Sequence, residues 1–425
     1  MTTTAAELPL VIVGAGAVGV ALAWSLSRRG RRVAVVDALA GPADLCSRAN
    51  AGILAVGHAR AWASPQAPGA MISALRGDDP SVRVTRLWDA GLWRWGAAFL
   101  AQCPGPAHRR NTDKLQRLSR LGRALLQEAE AEMDLPRDTR HEGGLYLFQD
   151  QAQFRAYAAS LQAGGAEGVE PLTRAELLAR EPALAGLGER LAGGAYSAHD
   201  AVGDCRLFTR RAAERLAERG VAFHLSRRVT GLRRARGRIA AVETNKGPIP
   251  CAGVILATGA ETAALTRPLG FAPLIQPVKG YSGTWRIQDP GRIPRLPFVD
   301  ETELLAVASY GGQLRVTAIA EFAGRDLTLP SERLSLLKDY VALNFRGGVE
   351  PSSFVPWAGL RPTTPAGPPF LGRARRFENL WLNAGHGQLG WTMSLSCAEI
   401  LAARIAGQTP ALADVSASAR WLEAA

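Results

Sequence analysis

Two glycine-dense stretches at opposite ends of the chain hold the residues whose types and spacing best suit chemistry. Near the C-terminus, "NAGHGQLGWTMS" (383–394) sets Gly385, Gly387 and Gly390 around His386 and Trp391. The apolar run "SLSCAEILAARIAG" follows and reads as a helix. A loop feeding a helix in this way presents unpaired N–H groups and the positive end of a macrodipole, a place for an electron-rich group. Near the start, "LPLVIVGAGAVGVALAWSLSRRGRRVAVVDA" places Gly14, Gly16 and Gly19 as GxGxxG between an apolar strand and a helical pattern that Gly30 closes. Gly14 permits the tight turn, Gly16 lets the backbone approach a pyrophosphate, and Gly19 lets the helix pack on the strand. A second strand, "RVAVVD", ends in Asp37, where a carboxylate reaches ribose hydroxyls. The combination specifies a dinucleotide, and NAD and FAD share it.

The elements that must position these groups belong to a chain of 425 residues, long enough for two domains, and 47% hydrophobic, as an ordered globular protein is. Its five cysteines (46, 103, 205, 251 and 397) form no CxxC pair. They read as reduced thiols in a cytosol-facing protein, with no metal site. No apolar run is long enough to span a bilayer. The start, "MTTTAAELP", lacks a basic n-region and an apolar segment, so no signal peptide is expected. The net charge of +12 favours an anionic partner. No nucleic-acid motif accompanies it, so nucleic acid is not expected, whereas the anionic face of a membrane is a candidate.

Further along, "GRIAAVET" and "GPIPCAGVILAT" flank Asn245-Lys246-Gly247, a hairpin turn. With the strand that begins near Val229 they form a three-strand meander leading to Thr258-Gly259, the flavoprotein version of the dinucleotide fold. Val229 either offers its backbone to the adenine or is a plain strand valine. The expected fold class is α/β: a Rossmann-type FAD-binding domain with a second α+β domain, which the family resemblance given below implies is a substrate domain built on an antiparallel sheet. The first takes residues 1–60, 190–264 and 356–425, and the second 61–189 and 265–355. "GGLYLF", "PVKGYSGTWRI" and "GGQLRVTAIAEF" supply strands to the second, and "TDKLQRLSRLGRALLQEAEAEM" is an amphipathic helix.

Six blocks together carry a family resemblance: "VIVGAGAVGVALAW", "SRANAGIL" (47–54), "GDCRLFT" (203–209), "PVKGYS" (277–282), "GLRPTTPAGPPFLG" (359–372) and "NLWLNAGHGQLGWTMS" (379–394). In this order they resemble the bacterial D-amino acid dehydrogenases, within the glycine, sarcosine and D-amino acid oxidase group. The resemblance implies FAD and oxidative deamination of D-amino acids to 2-oxo acids and ammonia, a step of amino-acid catabolism. Hydride leaves Cα, and water hydrolyses the imino acid. It implies that Ser47, Asn50, Ala51 and Gly52 lie along the flavin. It also implies that the N–H groups of Gly387, Gln388, Leu389 and Gly390, with the Thr392 hydroxyl, stabilise negative charge on the reduced ring. Many sarcosine oxidases tether their flavin through a cysteine near the counterpart of Leu360. None is near Leu360 in this sequence, so the FAD is expected to be non-covalent.

A D-amino acid needs a carboxylate clamp, and the planar fork of arginine suits it. Composition does not choose among so many arginines. Arg361, held between Gly359 and Pro362, is the choice, and it matches the family's carboxylate arginine. Tyr281 either bonds the carboxylate from the other side or is a core tyrosine. His386 is either a charge near the ring or a hydrogen-bonding loop histidine. Two rivals stay open: an amine or amino-acid oxidase (glycine, sarcosine, D-proline-like substrates) using O2, and a flavin-binding electron-transfer subunit of a heteromeric complex. The resemblance suggests a membrane quinone as acceptor and a cytoplasmic protein peripheral on the inner face of the cell membrane. In "TRLWDAGLWRWGAAFLAQC", Trp88, Leu92, Trp95 and Phe99 make one stripe at helical spacing. That stripe faces either a bilayer interface or the core.

Overall fold

The computed structural model describes residues 8–78, 81–136, 138–162 and 167–417. The first seven residues, read above for a targeting signal, lie outside them. Apolar runs too short for helices become strands buried on both faces. Leu10–Val13, Val33–Val36 and Gly253–Leu256 are buried at every position. They are the centre of a six-stranded sheet. Its order is Phe370–Arg373, Leu380–Ala384, Gly253–Leu256, Leu10–Val13, Val33–Val36, Ala222–His224, parallel throughout except for the first strand. The helices Ala17–Ser27, Gly105–Glu132, Cys205–Glu218 and Gly390–Ile405 cover one face, with Trp24, Leu126, Leu216 and Leu395 in a shared core. The meander Val229–Ala235, Arg238–Thr244, Ile249–Pro250 covers the other through Ile239 and Val242. The run "GPIPCAGVILAT" is thus two strands, one in the meander and one in the main sheet.

A nine-stranded sheet lies across the cavity from this one. Its path runs Val355–Thr363, Gln276–Arg286, Gln313–Phe322, Leu305–Tyr310, Phe298–Asp300, Gly144–Phe148, Gly193–Ser197, Val169–Thr173, and Val82–Val84 pairs separately with Gln313–Phe322. The expected antiparallel sheet is in fact mixed. Phe298–Asp300 runs parallel to Gly144–Phe148, and Val82–Val84 runs parallel to the end of Gln313–Phe322. Parallel neighbours need long crossovers, which the segments between these strands provide.

Two helices, Ala67–Arg76 and Ala90–Leu100, lie against this sheet at the cavity. The tryptophan stripe does not survive as one face. Asp89 caps the second helix by accepting from the Gly91 N–H at 2.8 Å, so Trp88 precedes the helix and is 78% exposed. Trp95 and Phe99 are buried in a core with Ala63 and Cys103. Trp93, off the stripe, is the helix's exposed tryptophan, beside exposed Leu87 and Leu100. Among the described residues no helix is long and apolar enough to cross a membrane.

Candidate active site

The two sheets enclose a cavity of about 1090 Å3. Along one side runs the GxGxxG turn. Gly14 holds φ +108, and a Cβ there would lie 2.6 Å from the Ala257 carbonyl oxygen, so only glycine lets the two strand ends close up. Gly19 is not on the cavity wall; a Cβ on it would collide with the Gly14 carbonyl, and its task is packing. Gly16 precedes the helix Ala17–Ser27, whose N-terminus has no side-chain cap and no acidic residue in its first turn. Ser47 Oγ accepts from the Ala17 N–H at 3.2 Å and lines the same wall. Asp37 is held by the N–H groups of Ala15 (2.7 Å) and Leu39 (2.8 Å), each taken by a different carboxylate oxygen. Its remaining lone pairs stay free for a diol. Val229 borders the cavity next to Arg228.

Asn50 and Ala51 line the middle of the cavity. Asn50 Oδ1 accepts from the Gly52 N–H at 3.1 Å, and its carbonyl accepts from Arg315 at 3.3 Å. Gly52 sits behind the wall, where a Cβ would strike the Tyr310 ring and the Gly203 carbonyl. His386, Gly387, Gln388, Leu389 and Gly390 form the wall at the N-terminus of Gly390–Ile405. This helix also starts with neither a side-chain cap nor an acid in its first turn. Thr392 is not on the wall. Its hydroxyl accepts from the Ala55 N–H at 3.2 Å and so ties the 50–55 segment to the helix. His386 is 4% exposed, and burial lowers its pKa to about 3. Of the two readings left open for it, burial favours the neutral imidazole, because desolvating an imidazolium is costly.

Arg361 comes from the strand Val355–Thr363 and lines the cavity. Burial pulls its pKa below the usual arginine value, with the Cys46 thiol acting the other way. One nitrogen donates to the Ile319 carbonyl at 2.8 Å, and no carboxylate among the described residues pairs with it. Two features outside the sequence reading shape this pole. Gly280 lies under the guanidinium, where a Cβ would come within 2.7 Å of Nη1 and closer still to Cζ and Nη2. Ile319 and Ala320 together oppose Gly280 in a β-bulge, and Ile319 takes φ +67, costly for a β-branched residue. The bulge turns the Ile319 carbonyl to the arginine. Gly280, inside "KGYS", carried a readable signal of close backbone approach; nothing in the sequence marks Ile319.

The structure does not bring Tyr281 to Arg361. Arg361 pairs with Val278 and Tyr281 with Ala358, which puts the two side chains on opposite faces of the sheet. Tyr281 is 1% exposed, and its hydroxyl donates to the Glu321 carboxylate. On the arginine's face the neighbouring position is Ser282, a cavity residue whose buried hydroxyl has no partner. A second correction concerns cysteine. A Cβ at Gly359 would sit 3.6 Å from the Cys46 Cα, and Cys46 lines the cavity. A thiol far from Leu360 in sequence is thus close to it in space. Burial raises its pKa, partly opposed by Arg361, which keeps it a thiol rather than a nucleophilic thiolate.

FAD fits these residues. Two helix N-termini with no acidic residue in the first turn open on one cavity, one at the dinucleotide turn and one at the glycine loop. Several buried polar atoms on the wall lack protein partners: both amide atoms of Asn383, His386 Nε2, Ser282 Oγ and Trp357 Nε1. Such atoms in a folded protein call for a ligand or water.

Comparison with known proteins agrees with this geometry. Residues 9–404 match a family described as FAD dependent oxidoreductase. The chain is 37% identical over 409 residues to a D-amino acid dehydrogenase of Rhizorhabdus wittichii, covering 95% of this chain and 98% of that protein. It is 38% identical over 421 residues to a D-amino acid dehydrogenase of Methylobacterium nodulans, covering 98% and 100%. Its fold is similar to the crystal structure of glycine oxidase from Geobacillus kaustophilus, with TM-score 0.72, 22% identity and 97% and 98% coverage.

Proposed function

Since the chain belongs to the FAD-dependent oxidoreductases, we propose that it oxidises D-amino acids to 2-oxo acids and ammonia. The observation that carries this reading is Arg361: a half-buried guanidinium on the cavity wall with no carboxylate of its own among the described residues. A cation partly taken out of water and left unpaired is costly, and a substrate carboxylate pairs it. The resemblance of "GLRPTTP" to the family's carboxylate block supports the same role.

When bound, FAD supplies the two-electron acceptor for the hydride that leaves Cα. Gly14, Gly16 and the N-terminus of Ala17–Ser27 would hold its pyrophosphate, and Asp37 its ribose. Asn50, Ala51 and the segment Gly387–Gly390 would flank its ring. Arg361 binds the substrate carboxylate and fixes the orientation of Cα. The N-terminus of Gly390–Ile405 opposes negative charge with its dipole and N–H groups, as an oxyanion hole does. The wall residues exclude water while the substrate is oxidised. No side chain is assigned as a base. His386 is neutral and buried, and the substrate reacts as its free amine.

Electrons then go to a quinone-type acceptor rather than O2, with the protein resting on an anionic bilayer surface. The net charge of +12 supports this. So do the exposed apolar side chains Ile72, Leu75, Trp88 and Trp93 on or next to the helices Ala67–Arg76 and Ala90–Leu100. The test is anaerobic mixing of the purified yellow protein with D- or L-amino acids. D-isomers should bleach the flavin absorbance and yield the 2-oxo acid. Arg361→Ala should weaken substrate binding by about 2–5 kcal/mol with flavin retained. Bleaching by L-isomers alone overturns the reading. A soluble quinone should reoxidise the enzyme far faster than O2; full turnover with hydrogen peroxide release refutes the acceptor assignment.

A further inference from the structure

We infer that the cavity next to Arg361 has a side-chain subsite built for a large apolar substituent on Cα, aromatic rings above all. This rests on Arg361 as the carboxylate clamp. The floor of the subsite is Trp95, 4% exposed and anchored in its own small core while lining the cavity. Its indole N–H donates to the Thr363 carbonyl at 2.9 Å, two residues along the strand from Arg361. The ring stacks on Phe99 at 5.0 Å and lies tilted at 5.8 Å from Phe322, three residues past the carbonyl that holds the guanidinium. Trp95 is therefore fixed to both strands that set the clamp.

The remaining wall is apolar and open. Trp62, Met71 and Leu92 line the cavity and are only half-buried, so each leaves apolar surface facing it. The helices Ala67–Arg76 and Ala90–Leu100 contribute no charged side chain to the lining. The other charged groups on the wall belong to the nucleotide end, as Asp37 and Arg228 do, or already have partners. Arg325 is paired with Glu261 at 3.1 Å, and Asp44 with Arg206 and Arg210. Glu301 and His58 stand together on the strand side of Phe298–Asp300, four strands across the sheet from Arg361. A lysine- or glutamate-like substituent against Trp95 and Met71 would leave its charge desolvated and unpaired. An aromatic one removes its own surface and the wall's from water.

Two measurements on the FAD-loaded protein test this. Steady-state kcat/KM with an artificial dye should be at least about tenfold higher for D-phenylalanine than for D-alanine, and about a hundredfold higher than for D-lysine or D-glutamate. Titration with non-oxidisable carboxylates, read by the flavin absorbance change, should show phenylacetate binding at least about tenfold tighter than acetate or 6-aminohexanoate. Met71→Glu should shift the D-lysine to D-phenylalanine ratio upward by about tenfold or more. D-alanine, D-lysine or D-glutamate equal to D-phenylalanine overturns the subsite while leaving D-amino acid oxidation standing. Phenylacetate binding no tighter than acetate does the same, independent of turnover. Failure of every D-amino acid to bleach the flavin, with phenylacetate still preferred, overturns the catalytic reading instead.

Discussion

Gly280→Ala adds a single methyl group beneath the arginine clamp. The new Cβ would lie 2.7 Å from Arg361 Nη1, with Cζ and Nη2 nearer, whereas ordinary contact starts at 3.4 Å. The guanidinium must therefore move by at least most of an ångström. It then loses the 2.8 Å bond to the Ile319 carbonyl, or keeps it and turns its fork away from the substrate. Gly280 is not among the positive-φ residues, so alanine suits its backbone and the strand should not be weakened. One misdirected charge-assisted hydrogen bond is worth about 1.5–3 kcal/mol, a rise in KM of roughly ten- to 150-fold. kcat should fall less, because the carboxylate contact exists before and during hydride loss. The assay is steady-state kinetics with D-amino acids and a dye, with FAD content from absorbance. Gly231→Ala, where a Cβ meets nothing within 4 Å, is the control. A Gly280→Ala enzyme with full FAD and kcat/KM within twofold of the parent would refute the clamp geometry.

Other substitutions probe the parts the structure reassigned. Tyr281→Phe should cost about 1–3 kcal/mol of stability by stripping buried Glu321 of its donor, yet leave KM unchanged; a raised KM at normal Tm would return the hydroxyl to the substrate. Burial raises the Glu301 pKa to about 7, with Arg60 pulling the other way, so the fold favours the protonated acid. That stabilisation is fully present below the unfolded value near 4.5 and is lost as pH rises through about 7. Glu301→Gln should therefore raise the unfolding free energy at pH 8 by on the order of 3 kcal/mol at most, seen as a higher Tm, and change it little at pH 4; the opposite trend would sink this account. Acid precipitation should release all FAD to the supernatant, because the Cys46 thiol is not ionised; flavin left on the pellet, absent in Cys46→Ser, would show a covalent bond.

The fold class and the cofactor were legible in the sequence because their signals are local. A glycine turn between a buried strand and a helix is complete within about thirty residues, and so is the hairpin at Asn245–Gly247. The glycine loop before Gly390–Ile405 announced an open helix N-terminus for the same reason. What Arg361 meets was not legible, even though Gly280 by itself signals a close backbone approach. Gly280, the Ile319 carbonyl and Trp95 come from three elements far apart in the chain, joined by strand register and one bulge. A shift of one residue in that register would exchange Tyr281 for Ser282 on the arginine's face. Cys46 lies beside Gly359 in space but more than three hundred residues away along the chain, so the sequence does not show the contact. The neutrality of His386 follows from burial, which a residue's neighbours in sequence do not record. Local backbone chemistry is written in consecutive residues; electrostatics and side-chain direction arise only when distant strands pair and exclude water.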